Sequence, residues 1–407
     1  MRRGFRALAL LFILVMSAGC QRAIPPTPTP ALPATPVPEP TATPEPDSAK
    51  IRVGSREFVT IQEAIDDAGT ADGDSIVVSE GIHTEAGITL AKSVTIRGQG
   101  AGRTIVQAHS ALEGSPDRVF LIPEGADVTI TGMSIRHGHP HDYPRSGGGV
   151  CSFGRLKLKD CVVSANSSND AGGVFNQGSM TILDCTIADN FADRKAPPGY
   201  ECGSGGGIKN GFRGDMSIEG STISGNRGLK HGGGLFVSCE STVAMTNCTV
   251  SGNSITRYGS GIAIMGTVRL INCTVAANEN KRTGSGIYVR GELDIVNTIV
   301  AGNDGVDCRI GGEGDYRGKG TIGVNRYSLV ADGSVPSDYS GDPMLGPLGD
   351  NGGGTFTHAL LPGSPAIDEV PAEGCVVATD QRGESRPVGP EHAATPGDIG
   401  AFELQAR

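Results

Sequence analysis

Three observations predict an all-β solenoid of stacked coils. The stretch Val243-Ala-Met245-Thr-Asn247-Cys248-Thr-Val250-Ser-Gly-Asn253, followed by a short loop and Ser260-Gly261-Ile262, returns 25 residues later. The second copy reads Val268-Arg-Leu270-Ile-Asn272-Cys273-Thr-Val275-Ala-Ala-Asn278, then Ser285-Gly286-Ile287. Self-similarity at a fixed period of this order marks a repeat architecture. Within each copy the apolar residues alternate, as a half-buried strand requires, and none of these stretches keeps helical spacing. Composition agrees: 62 Gly, no Trp and 4% aromatic residues in 407 suit tight turns and thin coils better than a bulky core. A solenoid grows by stacking, so this length does not force a division into several globular domains.

Residues 1–20 read as an export signal. Arg2, Arg3 and Arg6 precede an apolar run from Ala7 to Met16, short for a spanning helix, and Ser17-Ala18-Gly19-Cys20 follows. Small-small-Cys resembles a bacterial lipobox, which implies lipidation of Cys20, with Ser17 standing where that motif carries a large aliphatic. Residues 21–48 are Pro/Thr-rich without apolar periodicity and are expected to form a disordered tether. The expected location is therefore the bacterial cell envelope or surface, with a lipid as the only membrane attachment.

The coils are expected over residues 49–303. Ile51 and Val53 suggest a first strand. Thr60 then stands three residues before Glu63, a capping-box spacing, and Ile61, Ala64, Ile65 and Ala68 share one helical face. A short helix here would cover the apolar end of the first coil. Repeats begin at Val128, Leu156, Met180, Met216, Val243, Val268 and Leu293, with spacings of 28, 24, 36, 27, 25 and 25. One loop, between an Asn and a Gly-rich step, absorbs the variation. Insertions at one point of a repeat emerge on one face.

Two ladders follow from this alignment. Asn166, Asn190, Asn226, Asn253, Asn278 and Asn303 share one position, suited to a left-handed corner and to amide stacking between coils. Cys161, Cys185, Ser221, Cys248, Cys273 and Thr298 share another, an interior corner filled by small side chains. Gly149, Gly173, Gly207, Gly234, Gly261 and Gly286 precede the next strand, where a sharp turn is expected.

Leucine-rich repeats have a comparable period, but Thr, Val and Ile dominate here and both halves of each copy alternate like strands. The pattern resembles the right-handed parallel β-helix of the pectate-lyase-like superfamily. The segments from Phe58 to Ala68 and from Gly73 to Gly81 resemble that superfamily's N-terminal cap. Residues 304–407, expected to form an irregular C-terminal cap, contain Asn351-Gly-Gly-Gly, Thr357-His358, Pro365-Ala-Ile-Asp368, Asp380-Gln381-Arg382-Gly383 and Gly397-Asp398, ending on Phe402-Glu403. This string resembles the C-terminal region of the choice-of-anchor Q type, a group of bacterial extracellular β-helix proteins without a settled enzymatic function. Asp380, Arg382, Arg386 and Asp398 are expected to form a buried charge network closing the last coil.

A net charge of −10 argues against nucleic acid as a partner, because phosphate binding needs a basic surface. The superfamily's lyases resemble this fold but carry calcium-binding Asp clusters and a basic catalyst, and its polygalacturonases an Asn-Xaa-Asp, Asp-Asp and Gly-His-Gly set; neither pattern is present. No catalytic residue is therefore assigned. Calcium is the one cofactor left open, with Asp160 and Asp184 stacked in adjacent copies. His137, His139 and His141 bring three imidazoles into one loop, as a metal site, an acid–base group or a solvated segment. Cys202 with Cys239, and Cys308 with Cys375, are expected disulfide pairs in an exported protein.

The variable loops are rich in cations and rings for so acidic a chain: His139, His141, Tyr143, Arg145, Arg227, His231, Arg257, Tyr258 and Arg282 should stack along one edge. That edge suits an acidic polysaccharide or a surface protein, with Arg pairing carboxylates and Tyr stacking on sugars. The leading functional expectation is a non-catalytic adhesion or polysaccharide-interaction module. A polysaccharide lyase or hydrolase and a structural surface component are the alternatives.

Overall fold

A computed structural model describes residues 50–141, 146–192, 203–280, 284–311, 319–387 and 396–405. Cys20 and the tether lie outside them. The chain winds through three sheets of 12, 10 and 9 strands, visiting each once per coil. One coil shows the rule. Thr242–Thr246 lies in the first sheet, Thr249–Ser251 in the second and Ile262–Ile264 in the third, and Thr267–Ile271 returns to the first. Each strand pairs in parallel with its equivalent one coil on, as Val243 with Val268, Val250 with Val275 and Ile262 with Ile287. The opening strand Ile51–Val53 is antiparallel to both Arg56–Phe58 and Ser75–Val78, and in the tail Leu345–Gly349 pairs antiparallel with Thr357–Leu360.

The strict period of two in each strand places every second side chain inside. Val128, Leu156, Met180, Met216, Val243, Val268 and Leu293 form one buried column, and Ile135, Val163, Ile187, Ile223, Val250, Val275 and Val300 another. Each fully buried aliphatic contributes about 1.5–3 kcal/mol, so the columns dominate cohesion between coils. At the N-terminal end the helix Ile61–Asp66 carries the predicted capping box, and Ile61, Ala64 and Ile65 face the core. Ala68 does not join them. Asp67 is extended (φ −56°, ψ 132°), the helix stops, and Ala68 is exposed.

The left-handed corners correct the sequence reading. They fall not on the Asn ladder but on the residue before it: Ala165, Asp189, Gly225, Gly252, Ala277 and Gly302, with φ between 51° and 63°. A second left-handed file precedes the Cys ladder, at Gly132, Asp160, Asp184, Gly220, Asn247, Asn272 and Asn297, with φ between 50° and 68°. Asp, Asn and Gly tolerate this region best, so Asp160 and Asp184 have a backbone reason for their place.

The Asn ladder itself stacks as expected. Asn166 donates its side-chain amide to Asn190 Oδ1 at 3.0 Å, and the chain of amides continues through Asn226, Asn253 and Asn278 to Asn303. Asp307 ends it by accepting from Asn303. The glycines before the third sheet serve this ladder rather than a turn. A Cβ on Gly207 would lie 2.8 Å from the Asn226 amide, and one on Gly234 3.0 Å from Asn253. A second stack, Asn176 donating to Asn210 at 2.7 Å, stands where the third sheet turns into the first and was missed in the sequence.

The Cys ladder is interior, with Cys161, Cys185, Cys248 and Cys273 at most 1% exposed. The C-terminal region contains the expected charge network: Arg386 pairs with Glu403 and Arg382 with Asp380, each at 2.7 Å, and Asp398 accepts the Asp368 N–H. Its position differs from the expectation of an end cap. The tail runs back over the outer face of the second sheet. Thr222 donates to the Phe356 carbonyl, Gln381 bonds Thr222 and Thr249, His358 meets Ser251, and the Ala401 N–H reaches Thr274. The outward row Thr222, Thr249, Thr274, Ile299 is small and β-branched, and a packed peptide satisfies both its hydroxyls and its apolar end.

Candidate functional site

On the third sheet the outward position is a file of unusual side chains. Phe175, Lys209, Phe236, Ala263, Tyr288 and Arg309 are in register on successive coils. Strand side chains one coil apart lie about 4.8 Å from each other, close enough for rings to stack. Ala263 interrupts the file with a small side chain, and the variable loop fills the gap. Tyr258 stacks on Tyr288 with centroids 4.7 Å apart, His231 stacks on Tyr258 at 5.8 Å, and Phe236 on His231 at 5.5 Å. Four rings thus form one continuous stack over three coils. His231 and Tyr258 are held in place because their backbones bridge in parallel.

Charge borders the stack. Lys209 Nζ lies 5.6 Å from the Phe236 centroid and pairs with Asp170 at 2.7 Å, both side chains being largely buried. Asp170 also accepts the Ser204 N–H. One loop further round, the Arg227 guanidinium sits 5.5 Å over Phe191. Tyr258 is the ring most open to solvent in the stack, at 38% exposure, whereas Tyr288 is buried. A surface of this kind presents ring edges, Tyr258 foremost, to the C–H face of a sugar, with the Arg227 guanidinium on the same edge for a carboxylate.

The structure therefore brings His231 and Tyr258 together, with Arg227 on the same edge, and adds Lys209, Phe236 and Tyr288. Those three were missed because they sit on the strands, and only the coil-to-coil register reveals that they share a file. Arg257 is exposed beside Tyr258, its carbonyl accepting the Asn280 amide. His139 and His141 lie three coils away, roughly 14 Å or more along the solenoid. Their rings are 4.8 Å apart, and His141 Nε2 donates to the Ser115 carbonyl. His137 turns elsewhere, to the His109 carbonyl, so the three imidazoles do not converge as a ligand set. Tyr143, Arg145 and Arg282 lie outside the described residues.

Cys202 also lies outside them, so its pairing with Cys239 is not described. Cys308 and Cys375, expected as partners, are separate free thiols in two different hydrophobic clusters. Burial pushes the Cys308 thiol up to about 12. Asp184 is raised from its ordinary value by burial and then by neighbouring Asp160. Among the described residues no group of three or more His, Cys, Asp or Glu side chains is placed to hold a metal ion.

Three parallel sheets, stacked amides and one variable-loop edge define a parallel β-helix with an outward file of rings. The chain belongs to the right handed beta helix region family, whose signature spans residues 91–305. Among solved structures it is similar to pectate lyase Pel9A, at 14% identity over 83% of this chain and 90% of that one, with a TM-score of 0.53. It is also similar to the A-module of the mannuronan C-5 epimerase AlgE6 from Azotobacter vinelandii, at 13% identity over 67% of this chain and 80% of that one, with a TM-score of 0.40. At such identities the likeness concerns the fold. No curated protein matches the chain in sequence.

Proposed function

We propose that this protein is an exported, surface-held module that binds an acidic polysaccharide along the third sheet, without cleaving it. The observation that carries the reading is the continuous stack of Phe236, His231, Tyr258 and Tyr288, with the Arg227 guanidinium on the same loop edge. Rings already stacked on one another lose little conformational freedom on binding, and the Arg227 guanidinium on their edge favours uronate over neutral chains. Catalysis needs an acid and a base converging on one reacting atom. The largely buried carboxylate nearest the file, Asp170, is held by Lys209. The fold shared with pectate lyase Pel9A leaves the activity to this chain's own side chains. Attachment through Cys20 and the tether, and the resemblance of the tail to choice-of-anchor Q proteins, fit a surface location.

The test is incubation of the protein with acidic and neutral polysaccharides, with and without calcium, reading unsaturated products, reducing ends and pull-down together. Retention of acidic chains without product is expected, and Tyr258→Ala combined with Arg227→Glu should reduce it at least tenfold. Product formation would show an enzyme instead. Neither retention nor product would leave a structural surface component.

A further inference from the structure

Among the described residues, the tail covers the outer face of the second sheet from Thr222 onward. Before that point a cleft of about 330 Å³ lies over three successive strands, Ser134–Arg136, Val162–Ser164 and Thr186–Ala188. Ala101 and Gly102 wall one end, the Ser134 hydroxyl donating to the Ala101 carbonyl at 2.6 Å. Gly354 to Phe356 wall the other. There Thr222 donates to the Phe356 carbonyl at 2.6 Å and Thr355 to the Gly220 carbonyl at 2.8 Å. Three coils span roughly 10–15 Å, so this is a short trough, blocked at both ends. Its volume is at the lower end of the range for small-molecule sites.

The lining is chemically sorted. Val162 and Phe356 are apolar, Ser164 and Thr186 offer hydroxyls, and Arg136 brings a cation, its Nε donating to Gln107 Oε1 at 3.0 Å. His137 and Asp189 line the corner side, two coils apart, both with left-handed backbone. His137 Nδ1 donates to the His109 carbonyl at 3.0 Å, which leaves the lone pair of the neutral ring on Nε2. Burial, the largest influence on His137, holds it below the usual imidazole range and so favours that neutral ring.

We propose that this trough binds one polyhydroxylated carboxylate the size of a single sugar acid. Arg136 pairs the carboxylate, while His137 Nε2 and Asp189 accept hydroxyl hydrogens. Arg is the side chain best matched to a carboxylate, and the acceptors beside it at His137 and two coils along at Asp189 suit a ligand with several hydroxyl donors. Blocked ends exclude a polymer running through, so the ligand is a free sugar acid or a chain end. The site is on a different sheet from the aromatic file and does not depend on it.

Calorimetric titration of the intact protein with galacturonate, glucuronate and digalacturonate tests this, with galactose and acetate as controls. Saturable binding of the uronates and none of galactose is expected. Arg136→Gln should weaken it at least tenfold, Thr186→Trp should abolish it by filling the trough, and Tyr258→Ala should leave it unchanged. Equal affinity for mono- and disaccharide indicates the free acid, and tighter disaccharide binding a chain end. Thermal melting of each variant, with and without galacturonate, separates lost binding from lost folding. If Arg136→Gln fails to fold, Asp189→Gly on the exposed rim, which removes the acceptor at a left-handed position, supplies the same reading. Absence of saturable heat with every uronate would overturn the proposal. So would binding that survives both Arg136→Gln and Thr186→Trp, or that is lost only in Tyr258→Ala, which would assign it to the file instead.

Discussion

Asn226 and Asn253 are joined twice across one coil step: Asn253 Oδ1 accepts both the side-chain amide and the backbone N–H of Asn226, each at 3.0 Å. The two residues are fully buried. Replacing Asn253 with Ala would leave two Asn226 donors without a partner, at about 1–3 kcal/mol each. Urea unfolding should show a loss of about 3 kcal/mol or more. Asn166→Ala, at the head of the ladder, takes an acceptor from the Gly138 N–H alone and should cost less, and equal losses would argue against a coupled amide chain.

The left-handed corner at Asp160 is a backbone requirement. Asp160→Gly should be neutral in stability, while Asp160→Val should cost about 1–2 kcal/mol. The 3.9 Å contact with Lys159 is exposed and adds little. If Gly proved as damaging as Val, the carboxylate rather than φ would be the reason for this residue, and calcium titration of Asp160 with Asp184 would become the next measurement.

Lys209 and Asp170 form the ion pair beneath the aromatic file. Lys209→Met alone strands a carboxylate in a largely buried place and should destabilise by about 3 kcal/mol. Adding Asp170→Asn should restore most of that. Denaturant midpoints of the single and double variants give the coupling directly.

Burial raises Glu403 to about 7, against the pull of Arg386. A carboxyl raised in the folded state binds its proton more tightly there than in the unfolded chain. Its contribution is thus fully present below about 4.5 and is lost as pH rises toward 7. His358, lowered by burial, works the other way: its contribution is fully present above about 6.5 and is lost as pH falls below that value. In Glu403→Gln the first slope should vanish while the second remains, as read by melting temperature between pH 4 and 8.

Alkylation without denaturant should modify Cys375, which is partly accessible, and spare Cys151, Cys161, Cys185, Cys248, Cys273 and Cys308, which are buried. Mass spectrometry of the labelled peptides checks this. Absence of label on Cys239 that is relieved by reductant would establish its disulfide with Cys202.

The solenoid was legible because its signals are local and repeated: Val243 and Val268 announce one another, and Thr60 with Glu63 announces a helix start. The corners were read one residue late, since Asn253 and Gly252 are adjacent and both residue types tolerate positive φ. The file was half legible. His231 and Tyr258 stand out in loops, but Tyr288 looks like any strand residue until Ala263 is seen opposite it one coil earlier. The tail's course was not legible, because nothing in Gln381 or His358 says which of three sheets it will meet.

That course has a mechanical consequence. Among the described residues, the coils from Thr222 to Leu329 are also strapped by successive parts of the tail, at Phe356, Gln381, Ala401 and Tyr339, whereas the tail reaches the coil before them just at the wall of the trough. Pulled from the N-terminal side, the early coils should peel away one at a time under low force. The strapped half should then resist and give way in a single larger step, and tail variants such as Glu403→Gln should lower that last step alone. In force spectroscopy, a trace that stays uniform along the whole solenoid would show that the strap carries no load.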